Sequence, residues 1–351
     1  MVEQSQRIGV GIIGAGIMGT SHAASLADDP RARLVGVAAL PQASAAELAD
    51  RYRAHHDQAA EAPRATDDYH DLLADPAVDL VTVATPDDRH HEICLAALAA
   101  GKHVFVEKPL TTSLAEADEL VTAVEQADTT LMTCFNHRWM PPYARAKAEI
   151  AAGNIGRPRM AYARKNDRIF VPTEMLSWAA DTTCAWFLSS HDIDLANWFF
   201  DDRPVSVYAN SVSGVLTGRG IDTPDAIQAQ VTYEGGGVAT FESCWIYPNT
   251  YPTMTDSWIQ VTGERGVLQL PRIDDQVWLT TEESYEFPRQ SVGSDIHGRR
   301  SGAVTAALHH MISCILDGTE PLITIRSSRD VTAVLDALHR SLESHRVEPI
   351  T

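Results

Sequence analysis

Lysine is scarce in this chain of 351 residues. Lys102, Lys108, Lys147 and Lys165 are four among 28 basic residues, the other 24 being arginine. Cysteine is scarce too: Cys94, Cys134, Cys184, Cys244 and Cys314 are odd in number, far apart and joined by no CxxC or zinc-type spacing. That argues against a disulfide framework and for reduced thiols in a cytoplasm. No apolar run approaches the roughly 18 residues that a membrane-crossing helix needs. The polar opening MVEQSQR runs directly into a strand pattern, so no secretory leader is expected. HExxH, Walker-type and GxSxG patterns are missing. The histidine pairs His55-His56, His90-His91 and His309-His310 point to different faces, so no metal site is expected. A formal net charge of −19 argues against nucleic acid and anionic membrane as partners.

What is present is a rhythm. Ile8 to Ile13 reads as a buried strand, and a helix pattern runs on to about Ala27. Strands follow at Leu34 to Ala39, Asp79 to Ala84, His103 to Val106 and Thr130 to Phe135. The helices between them run from Ser44 to Tyr52, Asp88 to Ala100, and Ser113 to Gln126, the last with a Ser113–Glu116 capping box. Short continuous apolar strands alternating with helices indicate a parallel sheet covered on both faces. Past about residue 155 a helix at Ser190 to Phe200 precedes strands of period two, Ile227 to Tyr233 and Val238 to Trp245. A hairpin is expected around Val261 to Val267, then helices at Ala303 to Leu316 and Ser328 to Ser344. The fold class expected is α/β with a second, α+β half built on a large, mostly antiparallel open sheet.

Gly14, Gly16 and Gly19 make a G-x-G-x-x-G turn after the first strand and at the head of a helix. The first glycine permits the tight turn. The second lets the backbone, with Ile17 and Met18 beside it, approach a pyrophosphate, and the third lets helix pack on strand. An acid about 20 residues on commonly holds the ribose 2′-hydroxyl. Here the count lands on Ala39, within Ala38-Ala39-Leu40-Pro41. No carboxylate repels a 2′-phosphate and no arginine binds one, so NAD or NADP is expected, leaning towards tolerance of NADP. The first 130 residues are thus expected to form a Rossmann doubly wound domain, and residues 131–351 the substrate-binding and oligomerisation domain.

Five stretches in order carry a family resemblance: GIIGAGIMG at 11–19, ATPDDRH at 84–90, AGKHVFVEKPL at 100–110, CFNHRW at 134–139 and HDIDLANW at 191–198. The chain resembles the glucose–fructose oxidoreductase and inositol dehydrogenase family, closely over the first 200 residues. The resemblance implies that Lys108, one residue past a strand end, hydrogen-bonds the substrate hydroxyl beside the nicotinamide. Glu107 would bond the nicotinamide ribose, and Pro109 would follow a cis peptide bond. Thr85, Pro86, His90 and Asn136 would complete the cofactor site. His191 would accept the hydroxyl proton, which suits a side chain that titrates near neutral pH. Asn136, His137 and Arg164 would line the substrate pocket, and Trp178 and Trp186 either stack on a sugar or fill the core.

One position departs from that pattern. The family aspartate four residues before the histidine is Phe187 here. Either Lys108 and His191 suffice, or Asp181 or Asp192 substitutes, or activity is lost. The expected activity is an NAD(P)-dependent interconversion of a secondary alcohol and a ketone on a sugar, cyclitol or related polyol, in a cytoplasmic homo-oligomer, a dimer or tetramer. The alternatives are an NAD-dependent glycoside-cleaving enzyme of the same fold and a non-catalytic sugar- or dinucleotide-sensing regulator. The stretch Arg289 to Ser301 is expected as a loop over the site.

Overall fold

The computed structural model describes residues 7–55, 62–271, 277–287 and 292–351. The chain begins with β1 (Ile8–Ile13), in which all six side chains are buried. It then alternates through α1 (Ile17–Ala27), β2 (Ala32–Ala38), α2 (Gln42–His55), β3 (Arg64–Thr66), α3 (His70–Leu73) and β4 (Leu80–Val83). A short 3-10 turn at Asp87–Arg89 leads into α4 (His90–Ala99), followed by β5 (His103–Val106), α5 (Leu114–Gln126) and β6 (Leu131–Thr133). Ser113 caps α5 as expected, its hydroxyl accepting the Glu116 N–H.

The six strands form one sheet in the order β3-β2-β1-β4-β5-β6, parallel throughout. The order reverses between β1 and β4, and ligands of such sheets sit outside the carboxyl ends of the strands at that reversal. Burial from both faces explains the strand composition. Val81, Val83, Val104 and Val106 pack with Ile93, Leu98, Leu110 and Leu120 from α4, α5 and the connecting loop, each fully buried aliphatic side chain contributing roughly 1.5–3 kcal/mol.

The second half opens with α6 (Pro141–Ala151), whose two leading prolines occupy positions where no helical N–H is needed. β7 (Pro158–Arg168) follows, then irregular turns, α7 (Ser190–Phe200), β8 (Pro204–Val212), β9 (Ala226–Tyr233), β10 (Val238–Tyr247), β11 (Thr255–Gly263) and β12 (Val267–Pro271). Two-residue strands β13 (Leu279–Thr280) and β14 (Tyr285–Glu286) make a small hairpin. After them come the hairpin β15 (Ser294–Ile296) and β16 (Arg299–Ser301), α8 (Ala303–Asp317), α9 (Ile325–Ser344) and β17 (Glu348–Pro349). The large sheet runs β12-β11-β7-β10-β9-β8-β17. β7 and β10 pair in parallel and the other neighbours are antiparallel.

Parity along the strands separates two faces. Ala161, Ala163, Phe241, Val231 and Ile259 are buried on one, against which α7 packs. Met160, Tyr208 and Val212 are exposed on the other.

Two units share the chain: Met1–Trp139 with Val292–Arg329, and Met140–Ser291 with Asp330–Thr351. The returning segment of the first is fastened to α1. Ser25 Oγ lies 2.9 Å from Thr305 Oγ1, and His309 Nε2 lies 2.9 Å from the Ser25 carbonyl oxygen. Of the loop expected at 289–301, residues 289–291 lie outside the described residues. The remainder is the β15–β16 hairpin, turned by His297 and Gly298 at positive φ and tied down by the Arg300 N–H donating to Asp28.

Candidate active site

In the first unit the glycine turn is built as its spacing predicts, each glycine for a different reason. Gly14 has φ of +102°, and a Cβ there would lie 2.3 Å from the Ala84 carbonyl oxygen. At Gly19 a Cβ would lie 1.9 Å from the Gly14 oxygen, so the close approach of α1 to the turn depends on its absence. At Gly16 nothing lies within 4 Å. That open space borders the first turn of α1, where Gly16 is the N-cap without a side-chain cap. The first N–H groups of the helix, at Ile17, Met18 and Gly19, therefore have no helical acceptor, and a diphosphate fits there.

Across the sheet edge, β2 ends at Ala38. The Ala39 N–H donates to the Thr66 carbonyl, and an exposed Leu40 precedes Pro41 in a cis peptide bond. No charged side chain occupies Ala38-Ala39-Leu40-Pro41.

The ends of β4 and β5 carry the chemistry. Lys108 is partly exposed and Lys108-Pro109 is a cis bond. Glu107 beside it is buried, with Oε1 2.9 Å from Nε2 of His22, and accepts a hydrogen bond from the Cys134 thiol. Burial by itself raises the Glu107 carboxyl. The His22 hydrogen bond and charge, the Lys108 charge and the Cys134 hydrogen bond outweigh it and hold the group below the usual carboxylate range. Burial, and then the Glu107 charge and hydrogen bond, push the Cys134 thiol well above its ordinary value.

His90 differs from the role expected of it. Its Nδ1 lies 2.8 Å from the Pro109 carbonyl oxygen and its Nε2 3.2 Å from that of Thr85. With both ring nitrogens directed at backbone, the imidazole braces the Thr85-Pro86 turn against the loop after Lys108. It does not offer a nitrogen to a ligand.

Two residues of this site escaped the sequence reading, His22 and Asp87. Asp87 is 8% exposed, and its Oδ2 has no hydrogen-bond partner among the described residues. Burial raises its carboxyl above the ordinary value, against the opposing charge of Lys108. Both residues stand inside quoted motifs or just after one. A single histidine in an apolar helix reads as core, however, and the aspartate carries no spacing signal. Asn136 and His137 are buried in a 3-10 turn after β6, and the Asn136 side-chain oxygen likewise finds no partner among the described residues.

The second unit holds the other candidates. His191 is partly exposed in the first turn of α7. No serine hydroxyl caps this helix. Ser189 is helical in backbone and makes no side-chain cap bond, because a π-helical turn, Ala185–Ser189, runs straight into α7. Such insertions are frequent at functional sites.

Phe187 lies in that turn. Its ring packs 6.1 Å from Trp178, edge to face, and 5.9 Å from Trp245, so an aromatic cluster fills the place of the family aspartate. Of the acids considered as substitutes, Asp181 is exposed in a separate turn, and Asp192 is sealed beneath α7 on the Lys165 ammonium.

Arg164 belongs elsewhere. Neighbouring strand residues point to opposite faces, so with Lys165 under α7, Arg164 lies on the far face. There its Nε donates to Asp256 at 2.6 Å and its guanidinium sits over Trp258. The sheet thus separates Arg164 from His191. Trp186 is core, buried and stacked on His339, while Trp178 is partly exposed.

Comparison with known proteins agrees with the geometry. Residues 8–135 match the model of an oxidoreductase family with an NAD-binding Rossmann fold, and residues 143–269 match a GFO/IDH/MocA C-terminal domain. A levoglucosan dehydrogenase from Pseudarthrobacter phenanthrenivorans is 30% identical over 274 residues, covering 68% of this chain and 67% of that protein. An inositol 2-dehydrogenase from Rubrobacter xylanophilus is 29% identical over 275 residues, 78% of this chain and 74% of that protein. Among solved structures, an oxidoreductase domain protein from Kribbella flavida aligns with a TM-score of 0.83 at 25% identity, over 99% of this chain and 100% of that one. The chain belongs to the GFO/IDH/MocA family of oxidoreductases, enzymes with an NAD-binding Rossmann fold that act on CH–OH groups.

Proposed function

We propose that this protein interconverts a secondary alcohol and a ketone on a sugar, cyclitol or related polyol. The observation that carries the reading is the gathering, at the carboxyl ends of β1, β4 and β5, of the Gly14–Gly16–Gly19 turn, the Thr85-Pro86 turn and Glu107-Lys108. Gly16, Ile17, Met18 and Gly19 would hold the diphosphate, Glu107 the nicotinamide ribose, and Ala39 would border the adenosine ribose. The bound nicotinamide supplies the hydride acceptor. Lys108 stabilises the developing alkoxide as a compact ammonium, and His191 takes the hydroxyl proton; both side chains act without the family aspartate. The neutral Ala38-Ala39-Leu40-Pro41 stretch supports use of both NAD and NADP. The partly exposed Phe187 and Trp178 rings support a substrate with an apolar face, since ring C–H groups stack on aromatic side chains. Inositol and levoglucosan, named for the relatives, fall in this class. Met160, Tyr208 and Val212 on the open sheet face support self-association, which analytical ultracentrifugation measures.

A panel of polyols and anhydrosugars, incubated with each dinucleotide and followed by absorbance of the reduced nicotinamide, tests the proposal. Reduction by at least one of them is expected. Sugar release from a glycoside without net reduction, or no affinity for either dinucleotide, would refute it.

A further inference from the structure

We infer that His22 is a positioning residue for the cofactor: with the Cys134 thiol, its imidazole fixes the Glu107 carboxylate in the orientation that receives the ribose on the nicotinamide side. The inference rests on the function proposed above and deepens it at the same site.

A carboxylate as buried as Glu107 is costly unless donors surround it. A carboxylate only accepts, so the 2.9 Å contact requires a proton on His22 Nε2. The other nitrogen, Nδ1, is buried with no hydrogen-bond partner among the described residues. An imidazole kept merely to fill space, edge-on against Phe105 at 5.3 Å, would leave one polar atom stranded where leucine strands none. What the ring adds over leucine is the single N–H on Glu107.

The location of His22 gives that N–H a use. It lies on α1, whose first turn borders the open space at Gly16. His22 is five positions on from Ile17, about 7.5 Å along the helix axis. One rigid helix therefore carries both the diphosphate cradle and the donor that sets Glu107, and the two ends of the diphosphate–ribose span share one support. Cys134 follows β6 and anchors through its N–H to the Val106 carbonyl, so it approaches Glu107 from the neighbouring strand.

The ligand atoms of His22, Glu107 and Cys134 all lie within 4.8 Å of one another. In the metal-free protein burial and the Glu107 charge favour the protonated Cys134 thiol, which can donate to the carboxylate. Glu107 is then the acceptor that His22 and Cys134 share.

The test compares the affinities of the full-length protein for NAD and for ADP, which lacks the nicotinamide ribose. His22→Leu should lose roughly 10- to 100-fold in NAD affinity, the range expected for one charge-assisted hydrogen bond, and keep ADP affinity within about twofold. His22→Gln, whose amide N–H reaches the same oxygen, should recover most of the loss. Unchanged NAD affinity in His22→Leu, or equal losses of NAD and ADP, would overturn the inference. If His22→Leu does not fold, Cys134→Ala carries the same test: NAD weakened and ADP unchanged supports it, both unchanged overturns it. Wild-type protein that binds neither NAD nor NADP would sink the functional reading itself, whereas wild-type binding with an unselective variant sinks the positioning role alone.

Discussion

Lys165 and Asp192 form an ion pair beneath α7, Nζ to Oδ1 at 2.5 Å, with side chains 2% and 1% exposed. The pair shows what lysine is for in a chain that uses arginine almost everywhere else. Lys102 is buried with its ammonium on the carbonyls of Asp75 and Val78, and Lys147 places its own on the Trp198 carbonyl. A compact ammonium fits such enclosures where a planar guanidinium does not. Removing one partner of a buried pair leaves an uncompensated charge, so Lys165→Met should cost about 3–5 kcal/mol. Lys165→Met with Asp192→Leu should recover most of that loss. Urea denaturation of the two variants checks both figures.

Gly16 and Gly19 should separate binding from folding. Gly16→Ala meets nothing in the protein and should keep the wild-type melting temperature while losing most dinucleotide affinity, because the added methyl stands where the diphosphate must approach. Gly19→Ala drives a Cβ to 1.9 Å from the Gly14 carbonyl and should lose about 1–3 kcal/mol of stability as well. Calorimetry and a binding titration on the same samples distinguish the two.

Lys108→Met should lower kcat roughly 10²- to 10³-fold, the usual cost of removing one group that stabilises developing negative charge. NAD affinity should change no more than a few-fold, since the diphosphate and ribose contacts remain. Steady-state kinetics with a binding titration reads both numbers, and full turnover in the variant would refute the assignment.

Asp87 and Glu107 should give opposite pH signatures. The Asp87 carboxyl is raised above 3.8 in the fold, chiefly by burial. Its contribution is therefore complete below 3.8 and lost as pH rises through the folded value, so Asp87→Asn should be more stable than wild type at pH ~7 and lose that advantage towards ~4. Glu107 is held below 4.5 because its donors outweigh burial. Its contribution is present above 4.5 and lost as pH falls through the lowered value, so Glu107→Gln should be the less stable protein at neutral pH. Denaturation midpoints across that pH range show the crossing.

The parallel sheet was legible because IGVGII and HVFV are short apolar runs set between turn signals and helices, and both were placed to the residue. β4 and β6 are each shorter than read. β3 and α3 escaped because three or four residues hold no period. The π-helical turn before α7 has no sequence signature. At the site, Gly14, Gly16 and Gly19 announced themselves through fixed local spacing, and Glu107-Lys108 through the resemblance carried by AGKHVFVEKPL. His22 did not, since its partner is 85 positions away. Arg164 was misplaced for a similar reason. Strand parity says that it opposes Lys165, but only the packing of α7 decides which face of the sheet is covered.

The fastening of α8 to α1 bears on how the protein is made. A ribosome releases α1 and the six parallel strands long before residues 292–329. Until they arrive, Ser25 lacks Thr305 and the Asp29–Arg31 corner lacks Ser313. The nucleotide-binding unit thus completes its fold only after the large sheet of the second unit has been made, and a fragment cut after Trp139 would lack the segment that fastens α1.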